Sequence, residues 1–192
     1  FLTHLAHKKS LIIYNSYFMR DLARKKGLKS NNSYVLKPQV STINQQICQN
    51  WLTSQPNEIK KLFSMREKNV VLVGSELVKG YADFIKMSRL LPQYNFIVFS
   101  KSATGFKKKS NNLFYHQWCH IPGIPYFLAK TIIVPSIWNE AFGRVVVEAK
   151  QFSCNIIISN KGGLKEALGD YNNGQVAHSF DDYINYIEEF LN

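Results

Sequence analysis

The sequence predicts an α/β fold, a Rossmann-like parallel sheet with helices on both faces. Three observations carry that reading. Near-continuous apolar runs recur at residues 69–75, 94–100, 131–136 and 155–160, as strands buried on both faces require. Stretches with helical apolar spacing separate them, as parallel crossovers demand. The 192 residues are 45% hydrophobic and 14% aromatic, which is enough for a sizeable core.

The elements follow in order. Residues 11–15 (LIIYN) read as a short strand. Ser16 opens a helix in which Phe18, Met19, Leu22 and Ala23 share a face and Gly27 is the stop. Residues 34–40 read as an extended piece that Pro38 confines to a sheet edge. The polar, Gln- and Asn-rich residues 41–55 read as a linker, and Pro56 opens a short helix. After the strand at 69–75, residues 79–93 form an amphipathic helix facing the core with Phe84, Ile85, Met87, Leu90 and Leu91. A strand at 94–100 leads into a Lys- and Ser-rich loop, in which Lys107, Lys108 and Lys109 are read as solvated. Then come a strand at 112–118, a helix at 122–130, a strand at 131–136, a helix at 141–152 and a strand at 155–160. One or two helical turns at 162–168, a strand at 175–177 and a helix at 181–191 capped by Asp181 complete the chain. In such sheets ligands bind beyond the carboxyl ends of the strands. That places candidate loops at 74–75, 100–105, 116–120, 135–140 and 160–163.

Net charge is +11, unevenly placed: residues 1–110 hold 19 Lys/Arg against 5 Asp/Glu, and residues 111–192 hold 5 against 8. A lopsided basic field suits an anionic partner: a nucleotide, a nucleic acid or an acidic membrane surface. A basic face that serves only solubility is the competing reading. The longest apolar runs fall far short of the ~20 residues of a membrane span, and no secretory signal is visible. Three cysteines, Cys48, Cys119 and Cys154, lack C-x-x-C spacing, so a reducing, cytoplasmic setting is expected, with peripheral membrane contact through the basic N-terminal half. The chain begins with Phe, and a piece of a longer protein is expected.

The segment at 135–168 concentrates the chemistry. Glu140 stands just before the predicted helix at 141–152, and Glu148 lies inside it. The helix start, Ala141, Phe142 and Gly143, offers free amides and a positive dipole end, and Gly143 lets a phosphate approach. A carboxylate at that mouth repels a phosphate but suits a hydroxylated group attached to it, such as a sugar. Glu148 suits ribose hydroxyls. Two carboxylates eight positions apart are by themselves a weak pattern, equally served by an N-cap and a surface charge.

Their context is specific. Pro135, Ser136, Glu140, Phe142, Gly143, Glu148, Ala149, Gly162, Gly163 and Glu166 resemble the donor-binding signature of the retaining GT-B glycosyltransferases of family four, the group-1 glycosyltransferases. Residues 71–80 resemble the family's strand that ends in Gly and leads to a Lys-Gly pair. Residues 14–28 resemble the segment that closes its N-terminal domain. The resemblance implies a division into residues 1–45, the end of an acceptor-binding domain and its linker, and residues 46–192, a nucleotide-sugar-binding domain. It implies that Glu140 contacts donor sugar hydroxyls, Glu148 the ribose, and Lys79 the diphosphate, aided by the amides of Phe142 and Gly143. Gly74, Ser75 and Gly163 fall in the same donor-binding loops. It further implies transfer from a UDP- or GDP-sugar with retention, without metal or other cofactor, in polysaccharide or glycolipid biosynthesis.

Two departures are visible. Ser75 stands where the family has a pyrophosphate-binding Arg, which Lys101 or Arg144 would have to replace. The acceptor-binding half is not in the chain, so a missing domain, a partner chain or self-association through residues 1–35 is expected. A non-catalytic binding or scaffolding module is the alternative, and a basic nucleic-acid binder is a third. His116, Cys119 and His120 lie close enough to raise a zinc site, but packing is the simpler reading. Trp118 is read either as a stacking partner for a nucleobase or as core. His4 and His7 are read as surface residues.

Overall fold

The computed structural model describes residues 11–28 and 30–192; His4 and His7 lie outside the described residues. The first unit is a βαβ turn: β1 (Ile12–Tyr14), α1 (Tyr17–Lys25) and β2 (Ser33–Val35), with β1 and β2 parallel. The strand read at residues 11–15 therefore has a neighbour. The extended piece before Pro38 is the neighbour, because α1 carries the chain back to the start of β1.

The second unit holds the main sheet. Two helices, α2 (Gln45–Thr53) and α3 (Asn57–Ser64), precede it. The reading of residues 41–55 as a linker is therefore corrected: Asn44 caps α2 by accepting the Gln46 N–H, and Cys48 anchors it in the core. Then follow β3 (Asn69–Val73), α4 (Tyr81–Leu90), β4 (Asn95–Ser100), β5 (Phe106–Lys108), β6 (Leu113–Gln117), α5 (Ile124–Leu128) and β7 (Thr131–Val134). The chain ends with α6 (Arg144–Lys150), β8 (Asn155–Ser159), α7 (Leu164–Leu168), β9 (Gly174–Ala177) and α8 (Phe180–Leu191).

The seven strands lie in the order β5-β6-β4-β3-β7-β8-β9, all parallel except β5. β5 corrects the expectation of a plain loop around the lysine triplet. Lys107 and Lys108 pair with β6 opposite Tyr115 and Phe114, on a sheet edge where lysines discourage further pairing. The sheet divides the core into two clusters. Val71 and Ile97 face α5 and α6, while Val70 and Leu72 face α4 and α8. On α4, Phe84, Met87 and Leu91 are buried as predicted, but Leu90 is exposed, one position off the buried stripe.

Two helix starts also differ from expectation. Ser179, not Asp181, caps α8, and the Asp182 carboxylate accepts the Ser179 N–H in a reciprocal capping box. α6 begins at Arg144, not at residue 141, because Gly143 takes a left-handed conformation (φ +112°) that a right-handed helix cannot contain. Among the described residues, no helix is long and apolar enough to cross a membrane.

Candidate active site

Strand order sets the position of the site. Chain progression runs outward from β3 through β4 to β6, then restarts beside β3 with β7 and runs outward through β8 to β9. The direction reverses between β3 and β7, and in open α/β sheets the crevice at that point is where ligands bind. The loops leaving these two strands meet there: the Ile137 N–H donates to the Val78 carbonyl at 3.0 Å.

That contact brings Lys79 and Glu140 together. Lys79 Nζ lies 2.6 Å from Glu140 Oε1, which also accepts from Ser136 Oγ (2.7 Å) and Trp138 Nε1 (2.9 Å). The Lys79 ammonium sits 5.2 Å from the centre of the Trp138 ring. Burial alone would raise the Glu140 carboxyl; the hydrogen bonds from Lys79, Ser136 and Trp138 outweigh it and hold the group below its ordinary range. Lys79 and Glu140 line a cavity of about 290 Å³ together with Ser136, Ala141, Phe142, Gly143 and Arg144. Asn15 and Pro38, from the first unit, also line it.

The pair of glycines after β8 supports the Glu140 loop from below. The Gly163 N–H donates to the Glu140 carbonyl at 2.7 Å. Gly162 has φ +61°, and a Cβ there would stand 2.2 Å from that carbonyl oxygen. No other residue fits, which is the physical content of the Gly-Gly pair in the sequence. Gly163 therefore acts from beneath the cavity and does not line it.

Glu148 has a different outlook. It is buried, accepts from the Tyr126 hydroxyl and lies 3.4 Å from Arg144 Nη2. Burial first, then the Glu148 charge, hold the Tyr126 hydroxyl far above its usual range, so it stays a donor. Glu148 lines a second cavity, about 320 Å³, with Ile43, Ile47, Ile121 and Pro122. Arg144 lines both cavities and is largely exposed. The helix start also moves. The first α6 amides belong to Arg144 and Val145 rather than to the triplet 141–143, and the Val146 N–H turns back to the Gly143 carbonyl.

The remaining predicted positions stand outside the first cavity. The Gly74 N–H extends the ladder by donating to the Phe99 carbonyl. The Ser75 hydroxyl bonds the Ser100 hydroxyl at 2.6 Å. Lys101 is exposed beyond β4 and does not line the cavity. His116 is buried against Phe99 with ring centres 4.9 Å apart, and its Nδ1 lies 2.6 Å from the Gln117 carbonyl. Burial keeps its pKa below the usual value. Trp118 is partly exposed in a groove with Gln55, Cys119 and His120, away from Glu140. Among the described residues, no group of three or more His, Cys, Asp or Glu side chains gathers as a metal site would.

The sequence did not single out Trp138, Tyr126 or Asn15 for these positions. Trp138 could have been found from its place between two matched motif residues, Ser136 and Glu140. Tyr126 and Asn15 carried no such signal.

Comparison with known proteins identifies the family and the fold. Residues 54–192 match the family model described as glycosyl transferases group 1. A curated Klebsiella pneumoniae protein, described as an uncharacterized 42.6 kDa protein in the cps region, is 30% identical over 119 residues, covering 57% of this chain and 31% of that protein. Among solved structures, the fold is similar to Anabaena Alr3699/HepE in complex with UDP and glucose, with a TM-score of 0.71, 18% identity, and coverage of 94% of this chain and 53% of that one. It is similar to sucrose-phosphate synthase from Thermosynechococcus elongatus, with a TM-score of 0.73, 15% identity, and coverage of 99% and 51%. The chain thus spans about half the length of these structures and about a third of the curated relative.

Proposed function

The chain belongs to the group 1 glycosyl transferases, and from that membership we propose that it forms the donor-binding half of a retaining family-four GT-B enzyme. The observation that carries the proposal is the Lys79–Glu140 pair at the sheet's reversal point, opening on a cavity. In this reading the donor is a UDP- or GDP-sugar. Its diphosphate takes Lys79 and Arg144 as counter-charges, its sugar hydroxyls bond Glu140, and its ribose bonds Glu148 in the second cavity. Negative charge builds on the diphosphate as the glycosyl bond breaks, so cations fixed there in advance lower the barrier. With those cations and the α6 amides in place, the reading assigns no role to a metal.

Donor binding displaces Lys79 from Glu140 in part, because one ammonium then serves both a phosphate and the carboxylate. Glu140 stays ionised at neutral pH and accepts hydrogen bonds from the sugar. The reading also divides the chain near residue 45: α2 packs with the main core through Cys48, which supports a boundary before it. An acceptor-binding domain, joined to the first βαβ unit, completes the enzyme. Its setting is the cytoplasm or the membrane surface, where the basic N-terminal half meets acidic lipid.

One observation favours the alternative of a non-catalytic binding module: Ser75 is committed to Ser100, and no cation stands at that position. Calorimetry with UDP, GDP, UDP-glucose and a short oligonucleotide at two salt concentrations tests the reading. Binding of a nucleoside diphosphate, weakened in Lys79→Ala, is expected. Binding of the oligonucleotide alone overturns it.

A further inference from the structure

The first βαβ unit is bolted to the loop that carries Glu140. The Ser16 hydroxyl donates to the Ala141 carbonyl at 2.5 Å and accepts the Met19 N–H at 3.0 Å. Glu166, from α7, accepts the Tyr17 N–H at 2.8 Å and the Phe18 N–H at 3.4 Å. Glu166 Oε1 also pairs with Lys37 at 3.3 Å, just beyond β2. α1 has no acidic residue in its own first turn, so a carboxylate 149 positions away satisfies its amides and its dipole. The clasp ends at Asn15, the residue before Ser16, which lines the 290 Å³ cavity with Lys79 and Glu140. The Asn15 side chain is exposed and makes no hydrogen bond with the described residues.

A side-chain amide offers both donors and an acceptor without charge. It adds nothing to the neutralisation of a diphosphate but matches a pair of sugar hydroxyls. Resting on the donor-binding reading above, we propose that Asn15 is a specificity-determining residue that bonds the sugar of the donor. In the same proposal Glu166, acting through the N-terminus of α1, is the residue that positions it. The first βαβ unit is then part of the donor site rather than only a tether to another domain.

The test is calorimetry on the 192-residue chain with UDP, GDP, UDP-glucose and GDP-mannose. Asn15→Ala is expected to weaken the nucleotide sugar that binds by about 3- to 10-fold, the worth of one or two neutral hydrogen bonds, and the matching diphosphate by less. Glu166→Ala is expected to show the same split, to add little in the double variant with Asn15→Ala, and to be largely rescued by Glu166→Gln, whose carbonyl still accepts an N–H. Equal losses for sugar and diphosphate in Asn15→Ala, or fully additive losses in the double variant, overturn the proposal while leaving the donor-binding reading intact. A parent chain that binds no nucleotide at all overturns both.

Discussion

Lys79 and Glu140 stand 61 positions apart in the chain and 2.6 Å apart in the fold, each held by the loop leaving a central strand. Their pairing keeps a carboxylate ionised in a half-buried site. It also keeps an ammonium ready beside it.

The first prediction follows from that balance. Lys79→Ala is expected to weaken UDP or GDP binding by ~1–3 kcal/mol, the usual cost of a charge-assisted contact, as read by calorimetry. Removing the ammonium takes away one of the hydrogen bonds, and the one charge, that offset burial at Glu140, so its carboxyl should rise in a titration followed by carbon NMR. The sign for stability follows. A carboxyl held below its unfolded value of 4.5 stabilises the fold at pH above 4.5 and loses that contribution as pH falls through its folded value. The parent chain should therefore lose more stability on acidification below pH 4.5 than Lys79→Ala does. Thermal melts across pH 3–7 would show it, and parallel curves would refute it.

The two carboxylates should separate by ligand. Glu148→Gln is expected to weaken UDP and UDP-sugar alike, by ~1.5–3 kcal/mol for a charged hydrogen bond. Glu140→Gln should matter only when the sugar is attached. If both variants lose the same ligand set, the assignment of the two cavities fails.

Gly162→Ala is expected to destabilise the fold and displace Glu140, since its Cβ would stand 2.2 Å from a backbone oxygen at a left-handed φ. A loss of ~1–3 kcal/mol in denaturant melts is the expected scale for such strain. Nucleotide-sugar affinity should fall more than diphosphate affinity.

Ser75→Arg must release the bond to Ser100. It is expected to tighten UDP binding by about 1.5 kcal/mol and to steepen its salt dependence. Weaker binding would mean that the crevice is built around the smaller side chain.

The buried strands were legible because parallel strands covered on both faces leave an unbroken apolar mark, as at residues 131–134. α2 was not legible. Cys48 is its one buried residue, Trp51 and Leu52 pack only partly against the core, and Gln45, Gln46, Gln49 and Asn50 give it the look of a linker. The start of α6 was misplaced because only the φ of Gly143 stops the helix there, and sequence spacing does not report φ. At the cavity, the nearness of Lys79 and Glu140 was legible through the resemblance, while Gly163, expected in a donor-binding loop, lies beneath it. The roles of Trp138, Tyr126, Glu166 and Asn15 were not, because each depends on which loop lies opposite. Glu166, for instance, finds its partners 148 and 149 positions away.

The reversal between β3 and β7 also fixes an order of assembly. While the chain is being made, β3 can pair with β4 as soon as residue 100 is available, but its other edge stays bare until Thr131–Val134 emerges. That bare edge is Val70, Val71 and Leu72, an apolar strand of the kind that captures stray partners. A ribosome that stalls between residues 100 and 131 therefore leaves an apolar strand edge exposed. The strand that hides it is the same strand that brings Glu140 to Lys79. Nucleotide affinity should appear only in nascent chains long enough to have buried that edge, so ligand capture doubles as a report on completed folding.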